Sequence, residues 1–391
     1  MDKFVILKKN EDRRIKAGHQ WIFSNEIFDS SGDIENGELV KTLDSKHAIL
    51  GCGFYNKNSL IAIRFLDSKV IEDLSVLFKS RILYAYQLRK QLYPERNSFR
   101  LLFSESDFIP GLIIDKYNDT FVLQVHSAGI EKNLNLIVNI LQEEFNAQNI
   151  ITKNEAYFRT LEGLPVDDTI LLGELKKEII FDGAVSFEIN FTEGHKTGFY
   201  FDQNDNRFFI EKLVKEKTVL DAFCNSGGFG LHAAKAGAAK VVFVDSSSTE
   251  IESAKHNFNL NKLETEAEFI DADVFDYLGE LINQNKKFDV VMIDPPAFAK
   301  SKKSLPAAQK GYEKLNRMAL NILNVGGYLI TSSCSYHLSS VEFISIINTA
   351  AAKNGKKIQQ IYFNETSLDH PRIPAMPETS YLKFAVYRLI N

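Results

Sequence analysis

The sequence is poor in cysteine, with only Cys52, Cys224 and Cys334 among 391 residues. Three is an odd number and the residues are far apart, which excludes a disulfide framework and indicates a reducing compartment. Long apolar runs are also missing, since no stretch approaches the length needed to span a membrane. The first residues, MDKFVILKKNEDRR, become charged too early for a signal peptide. We therefore expect a cytoplasmic protein.

Neither sign of charge dominates the composition. Lysine and arginine number 46 against 51 aspartate and glutamate, so the net charge is -5. Composition therefore does not indicate a nucleic-acid binder, and a polyanion site requires a local basic patch. KKNEDRRIK at 8–16 and KSKK at 300–303 are the two candidates, although solvated surface is the more common reading of each. We predict no metal site.

The pattern of apolar residues changes twice along the chain, which predicts three domains. Residues 1–72 contain short β-rich pieces such as SLIAIRFL between turn signals, typical of a small β-barrel or sheet. Residues 73–190 begin with an amphipathic helix and continue with mixed strands and helices, which predicts an α+β middle domain. In residues 191–391, short apolar strands alternate with helices. That alternation predicts an α/β domain with a doubly wound parallel sheet.

Ligands of doubly wound sheets bind beyond the carboxyl ends of the strands, so the strand ends carry the chemistry. The first strand ends in DAFCNSGGFG (221–230), where an acidic residue replaces the dinucleotide pattern G-x-G-x-x-G. A carboxylate at Asp221 would repel a pyrophosphate but could bind the cationic amino-acid end of S-adenosylmethionine. This favours S-adenosylmethionine over NAD. We include Phe223, Asn225 and Gly227 of the same loop in the predicted cofactor site.

The next two strands also end in carboxylates. Asp245 follows KVVFV, 24 residues after Asp221, and could bind both ribose hydroxyls of an adenosyl ligand with Ser246 beside it. The alternative is a surface acid or a helix N-cap. Asp273, after the third strand, could meet the adenine amino group, although its neighbour Asp271 is hard to distinguish from it.

The fourth strand ends in DPPAF (294–298). Two prolines stiffen a turn and leave carbonyls and the Asp294 carboxylate facing the pocket, with Asp294 beside the methyl donor. Pro295 and Phe298 are predicted to contact the substrate, because a phenylalanine ring offers a flat face on which a base can stack. A plain structural turn is the alternative for any Pro-Pro pair.

The fifth strand ends in TSSCSYH (331–337), which places Cys334 in the same row as Asp294. Carbon 5 of cytosine is a poor nucleophile, but a thiolate that adds to carbon 6 converts the ring into an enamine that is reactive at carbon 5. A carboxylate near ring nitrogen 3 would share a proton with the adduct, and Asp294 is placed for that role. A cysteine after a strand can instead be packing. The serines around it favour the partly open, polar setting that a reactive thiol needs.

These motifs resemble those of the bacterial 23S ribosomal RNA cytosine-C5 methyltransferases that carry an N-terminal PUA domain, and the resemblance covers essentially the whole chain. The most specific segments are HKTGFYFDQNDNR (195–207), LDAFCNSGGFG (220–230), VDSSSTEIESAKHNFNLN (244–261), IDPPAFAKSK (293–302) and SSCSYH (332–337). GHQWIFSNEI (18–27) looks like the start of the PUA domain and FSESDFIPGLIIDKYND (103–119) like the central domain.

The resemblance implies a PUA RNA-binding barrel, an α+β middle domain and a class I methyltransferase domain with a Rossmann-like sheet. It implies S-adenosylmethionine as cofactor, 23S ribosomal RNA as partner, and a homodimer. Cys334 matches the catalytic cysteine of the family. The segment KTGFYFDQNDNR contributes four candidate pocket residues, namely Lys196, Thr197, Gly198 and Phe201.

Other positions bear on product release and on contact with the RNA. Many RNA cytosine-C5 enzymes have a second cysteine near DPP, but this chain has none there, so another, unidentified base must act in product release. By resemblance, His370 and Arg372 in DHPRIPAMPETSYLKF contact the target RNA, with an ordinary surface loop as the alternative. Lys300 is a further predicted substrate contact.

Three rival functions fit parts of the same pattern. A methyltransferase that modifies an exocyclic amine or guanine N7 would use the same fold and DPPAF motif, but it would leave Cys334 without a role. An RNA-binding module with a vestigial domain would not need the acidic residues Asp221, Asp245 and Asp294. An NAD-dependent oxidoreductase is disfavoured by the missing G-x-G-x-x-G motif.

Overall fold

The structure, a computed structural model, describes residues 3–191, 198–299 and 301–391. These residues form twenty β-strands and eleven α-helices. The chain divides into two compact units. The first consists of residues 1–180, 189–201 and 368–379, and the second of residues 181–188, 202–367 and 380–391. Within the described ranges, no helix combines the length and apolar character needed to cross a membrane.

The first unit begins with a six-stranded sheet of order β2-β6-β5-β4-β1-β3. Its elements are β1 (Phe4–Leu7), α1 (Arg13–Lys16), β2 (Trp21–Phe23), β3 (Ile27–Ser30), β4 (Leu39–Leu43), β5 (Ile49–Tyr55) and β6 (Ile61–Asp67). Strand β4 alternates half-buried and buried residues, as a strand with one face on a core does. Gly53 lets β5 approach β6, because an added Cβ would lie 2.4 Å from the Arg64 carbonyl oxygen. The prediction of a β-rich N-terminal region is confirmed.

A second sheet, of order β11-β10-β9-β8-β7, completes the first unit. Its elements are α2 (Leu74–Leu92), β7 (Ser98–Phe103), β8 (Leu112–Tyr117), β9 (Thr120–Val125), α3 (Ala128–Lys132), α4 (Leu134–Phe145), β10 (Asn149–Thr152), α5 (Ala156–Glu162) and β11 (Ile170–Leu172). Helix α2 begins where Asp73 accepts hydrogen bonds from the backbone of Ser75 and Val76. The predicted α+β character is confirmed, while the exact domain limits, 1–72 and 73–190, stay a prediction.

Two short strands, β12 (Glu178–Phe181) and β13 (Ser186–Ile189), pair with each other. The second unit then contains α6 (Asn204–Ile210), β14 (Thr218–Ala222), α7 (Gly228–Lys235), β15 (Lys240–Asp245), α8 (Ser248–Leu260), β16 (Glu266–Asp271), α9 (Val274–Asn283), β17 (Phe288–Ile293), α10 (Leu305–Asn321), β18 (Leu323–Ser333), α11 (Ser340–Lys353), β19 (Ile358–Asn364) and β20 (Lys383–Leu389). The strand–helix alternation predicted from the sequence is therefore present.

The seven strands of the second unit have the order β16-β15-β14-β17-β18-β20-β19. The first five run parallel, and β20 is antiparallel to both of its neighbours. The strand order reverses at β14, which pairs with β15 on one side and β17 on the other. A crevice beyond the carboxyl ends of strands at such a reversal is the usual ligand site of α/β sheets. The architecture thus indicates the edge formed by residues that follow β14, β15, β17 and β18.

Candidate functional site

The backbone register places four predicted residues at neighbouring strand ends. Asp221 lies near the end of β14, Asp245 ends β15, and Asp294 and Cys334 directly follow β17 and β18. Ala222 is the register partner of Ile293, and Ile293 is that of Thr331. These pairings bring the ends of β14, β17 and β18 side by side, as the sequence predicts for parallel strands.

The loop after β14 has an unusual backbone. Phe223 and Asn225 have φ of +63° and +48°, and Gly227 has +91°. Residues other than glycine rarely adopt positive φ, and such strained positions cluster at functional sites. The backbone N–H of Asn225 donates to the Asp245 carboxylate at 3.0 Å, and that of Ser247 donates to its other oxygen at 3.0 Å. Asp245 is therefore held at both oxygens by the loops that surround the strand ends.

Asp221 is the most deeply buried carboxylate of this edge. It is 1% exposed, and its carboxylate accepts a hydrogen bond from the Gly230 backbone N–H at 2.7 Å. Burial raises the pKa of Asp221 to about 7, the Gly230 bond opposes this rise, and the charge of Asp294 adds to it. A buried carboxylate in this condition would be stabilised by a cationic ligand.

Asp294 shares this electrostatic environment. Burial raises its pKa to about 6, while hydrogen bonds from the Ser332 hydroxyl and from Gln203 Nε2, the latter at 3.2 Å, lower it. The buried guanidinium of Arg207 also acts on the pKa of Asp221 and Asp294 and lowers both. Sequence reasoning did not assign Gln203 or Arg207, although both lie in the segment HKTGFYFDQNDNR that it singled out.

Cys334 differs from the other two cysteines in exposure. Cys334 is half-buried, whereas Cys52 and Cys224 are buried. Burial raises the pKa of the Cys224 thiol well above its ordinary value, and it also raises that of Cys52. A thiol with a raised pKa is largely un-ionised near neutral pH and therefore unreactive. Of the three, Cys334 is the one that a substrate can reach.

Buried serines tie the Cys334 loop to the Asp294 loop. Ser332 donates to the Asp294 carboxylate, and the Ser335 hydroxyl accepts from the Ala299 backbone N–H at 3.2 Å. The Tyr312 hydroxyl lies 2.9 Å from the hydroxyl oxygens of both Ser333 and Ser335. The serines are therefore anchors that fix the backbone on either side of the thiol. Sequence reasoning noted the serines but missed Tyr312, which lies on α10.

Two of the remaining predicted cofactor contacts, Asp273 and Ser246, lie at or next to the start of a helix. Asp273 is the N-cap of α9, and its carboxylate accepts from the backbone N–H groups of Phe275 and Asp276 at 2.8 and 3.2 Å. Ser246 is exposed in the loop before α8, whose N-cap is Ser247. Contact of Asp273 and Ser246 with the cofactor stays a prediction.

The substrate side of the DPPAF turn is partly packed. Pro295 is buried, and the Phe298 ring is half-buried with its centroid 4.6 Å from that of Tyr312. Phe298 also packs against the core of the second unit. Stacking of a base on Phe298 therefore stays a prediction, with only part of the ring available for it.

His370, a predicted RNA contact, is buried in the structure. His370 belongs to the first unit and is only 2% exposed. Its Nδ1 lies 2.8 Å from the Asp369 carboxylate, and its ring centroid lies 4.9 Å from that of Phe103. These contacts hold the imidazole in place, and its contact with RNA stays a prediction. Arg372, two residues later, is exposed.

The segment predicted to close over the cofactor is only partly described. Lys196 and Thr197, together with the substrate candidate Lys300, lie outside the described residues. Gly198 and Phe201 belong to the first unit, where Phe201 is 1% exposed and its ring centroid lies 5.1 Å from that of Tyr117. Their part in a cofactor pocket stays a prediction.

The side chains at this edge fit S-adenosylmethionine. Asp221, Asp245 and Asp294 offer carboxylates to a ligand that carries a cationic sulfur, an ammonium group and a ribose diol, whereas a dinucleotide pyrophosphate would be repelled. In the parts of the chain that the structure describes, no group of three or more His, Cys, Asp or Glu side chains could hold a metal ion.

Comparison with known proteins agrees with this assignment. The family model described as a PUA-like domain matches residues 5–68, and the model described as Conserved hypothetical protein 95 matches residues 201–325. The crystal structure of SMU.776 complexed with SAH has a similar fold, with a TM-score of 0.85 at 21% identity over 98% of this chain and 99% of that chain. The fold and the acidic edge define an S-adenosylmethionine-dependent methyltransferase of class I with an N-terminal PUA-like domain.

Two full-length relatives narrow the class. Ribosomal RNA large subunit methyltransferase I of Aliivibrio fischeri (strain MJ11) is 38% identical over 99% of both chains. The protein of the same name from Tolumonas auensis is 36% identical over the whole of both chains. The chain belongs to the ribosomal RNA large subunit methyltransferase I family.

Proposed function

We propose that this chain methylates carbon 5 of a cytosine in 23S ribosomal RNA, with S-adenosylmethionine as donor and Cys334 as nucleophile. The named relatives support a large-subunit ribosomal RNA substrate. The observation that carries the chemistry is the position of Cys334: it is half-buried at the end of β18, and its flanking serines bond to the turn that bears Asp294.

The proposed reaction begins with the Cys334 thiolate. Its sulfur forms a bond to ring carbon 6, and the electron pair of the carbon 5–carbon 6 bond moves into the ring toward nitrogen 3. Asp294, with a pKa raised to about 6, can hold the proton that nitrogen 3 takes up. Carbon 5 is then electron-rich and able to receive the methyl group, and nitrogen 3 gives its proton back to Asp294 as the electron pair leaves it. Loss of the carbon-5 proton to a base and cleavage of the sulfur–carbon bond restore the thiolate and the aromatic ring.

S-adenosylmethionine, when bound, supplies an electrophilic methyl group on a cationic sulfur. Asp221 and Asp245 would hold its amino-acid end and its ribose, with Phe223, Asn225 and Gly227 around them. The strained loop supports this role, because the Asn225 backbone already fixes the Asp245 carboxylate. These residues bind and orient the donor, and the reaction of the base depends on Cys334 and Asp294.

We further propose how the RNA is engaged and where the reaction takes place. The PUA-like region would bind RNA away from the target base, and Pro295 and Phe298 would line the approach to Cys334. Lys300 and Arg372 stay predicted RNA contacts. The scarcity of cysteine supports a cytoplasmic location. A homodimer is the proposed assembly, and size-exclusion chromatography with light scattering tests it.

The decisive experiment uses an RNA fragment of the large subunit with 5-fluorocytosine, which blocks loss of the carbon-5 substituent and traps the adduct. With donor present, wild-type protein should form a denaturation-resistant complex, and Cys334→Ala should form none. Cys52→Ala is the matched control, since Cys52 is buried in the first unit. Mass spectrometry of the ribosomal RNA should show 5-methylcytosine missing in cells that carry Cys334→Ala.

Three results would contradict the proposal. Absence of a trapped complex with the wild-type protein would exclude the covalent route. Continued methylation by Cys334→Ala would favour transfer to a ring nitrogen or exocyclic amine, which needs no thiol. Failure of the wild-type protein to bind S-adenosylmethionine in calorimetry would favour an RNA-binding module without catalysis.

A further inference from the structure

One lysine of the second unit is buried next to the proposed nucleophile. Lys383 is 4% exposed and is the first residue of β20, where it pairs in register with Ser333 of β18. Its Nζ donates to the carbonyl oxygens of Ser335 and Tyr381, both at 2.7 Å. Both chain neighbours of Cys334 therefore contact Lys383: Ser333 pairs with it in the sheet, and the Ser335 carbonyl accepts from its ammonium.

The contacts of Lys383 leave part of the ammonium uncommitted. An ammonium has three N–H donors, and the two carbonyls use two of them. Within the described ranges, no carboxylate lies within ion-pair distance of Lys383 Nζ. Glu342 at the start of α11 is an acid that acts on Lys383, but its carboxylate already accepts from the Ser339 backbone and hydroxyl. A buried cation without a bound anion is costly, and it favours a negative charge nearby.

We propose that Lys383 is a positioning residue for Cys334, whose ammonium stabilises the thiolate that attacks the pyrimidine. The inference rests on the proposed function and assigns part of the reaction to a residue of the segment DHPRIPAMPETSYLKF that was not a predicted site residue. No bond forms between the two side chains: the effect is the attraction of opposite charges in a water-poor setting.

The electrostatics of the neighbouring groups agree with the geometry. Burial lowers the pKa of Lys383 to about 8. The charge of Cys334 opposes this fall, and the charge of Glu342 opposes it to a smaller extent. Burial also raises the pKa of the Tyr312 hydroxyl, its bonds to Ser333 and Ser335 oppose this, and the charge of Cys334 adds to the rise. Tyr312 is therefore neutral near pH 7, whereas the Lys383 ammonium carries a positive charge that can offset a thiolate.

The test is the pH dependence of Cys334 alkylation by iodoacetamide in the full-length protein, followed by peptide mass spectrometry. Only the thiolate reacts, so the midpoint of the rate profile reports its ionisation. We expect the wild-type midpoint below the ordinary thiol value of about 8.5. Lys383→Gln keeps N–H donors for the two carbonyls but removes the charge. It should move the midpoint up by about one pH unit and slow alkylation near pH 7 about tenfold.

Two variants serve as controls. Lys356→Met removes a half-buried lysine of the same unit, whose ammonium also donates to a backbone carbonyl, that of Leu320. It should leave the Cys334 profile unchanged. Lys383→Arg keeps the positive charge and should keep the low midpoint even if Lys383→Gln is too unstable to measure. A wild-type midpoint at or above about 8.5 would overturn the inference without any variant.

The outcome separates this inference from the proposed function. If 5-fluorocytosine RNA is trapped on Cys334 but Lys383→Gln does not move the alkylation midpoint, the lysine only holds carbonyl groups and the inference is wrong. If Lys383→Gln moves the midpoint but the wild-type protein traps no RNA, the lysine–cysteine coupling stands and the proposed function fails.

Discussion

The close packing of Gly230 allows a stability prediction of defined size. Gly230 lies in α7, and a Cβ built there would be 2.2 Å from Cε1 of Phe243 and 2.8 Å from two further ring atoms. Ordinary contacts begin at 3.4 Å, so the ring would have to retreat by about 1.2 Å. Phe243 cannot do so freely, because it is fully buried and stacked on Phe269 with ring centroids 4.8 Å apart.

Gly230→Ala should therefore destabilise the second unit. Overpacking costs about 1–3 kcal/mol, and the gain from replacing a helical glycine by alanine, about 0.5–1 kcal/mol, offsets part of it. The control is Gly279→Ala in α9, where the nearest atom to an added Cβ is Met318 Cε at 4.0 Å. That variant should gain the helical contribution alone. The two substitutions are chemically identical, so only the packing environment distinguishes them.

The assay is the midpoint of thermal unfolding of the two variants, measured against the wild type. A net loss of about 1–2 kcal/mol corresponds to a fall of about 2–8 °C for a unit of this size, whereas Gly279→Ala should raise the midpoint by a few degrees. A second variant, Gly230→Ala with Phe243→Leu, should recover part of the loss. If Gly230→Ala matched Gly279→Ala, the contact between α7 and β15 would not be as tight as the structure describes.

Two further predictions concern buried titratable groups. Since burial raises the pKa of Asp221 to about 7 and a cationic ligand binds the ionised form, S-adenosylmethionine affinity should fall up to about tenfold per pH unit below that value. Calorimetry of the wild type and Asp221→Asn checks this, and an equal pH dependence in both would contradict it. Burial alone would lower the pKa of His232, but Asp182 and Glu211, each 2.7 Å from a ring nitrogen, raise it above its ordinary value. The resulting stabilisation is present below about pH 6.5 and is lost as pH rises through the folded-state pKa. His232→Gln should therefore lower the unfolding midpoint more at about pH 6 than at about pH 9, and an equal loss at both would refute the charged triad.

Local patterns in the sequence predicted the parts of the protein that depend on neighbouring residues. Apolar runs separated by helical patterns predicted the parallel sheet of the second unit, and the structure has it. Because parallel strands end at one edge, the same reasoning predicted that Asp221, Asp245, Asp294 and Cys334 lie close together. The register of β14, β17 and β18 places those strand ends side by side.

Contacts between residues that are far apart in the sequence were beyond prediction. His370 follows a charged segment and precedes a proline, which is typical of a surface loop, yet Asp369 and Phe103 bury it. Tyr312 lies outside the quoted motifs, and Lys383 lies in DHPRIPAMPETSYLKF without any local feature that indicates a role beside Cys334. Each reaches the Cys334 loop only because β20 pairs with β18 or α10 packs near it.

The sequence by itself determined the alternation of strands and helices, the residues at the strand ends and the resemblance to a methyltransferase family. These depend on periodicity and on short motifs, which operate over a few residues. Only the tertiary structure decided which cysteine is reachable, which serines anchor it and which lysine lies beside it. Burial and electrostatic coupling depend on atoms that are neighbours in space but far apart along the chain, and no local pattern encodes them.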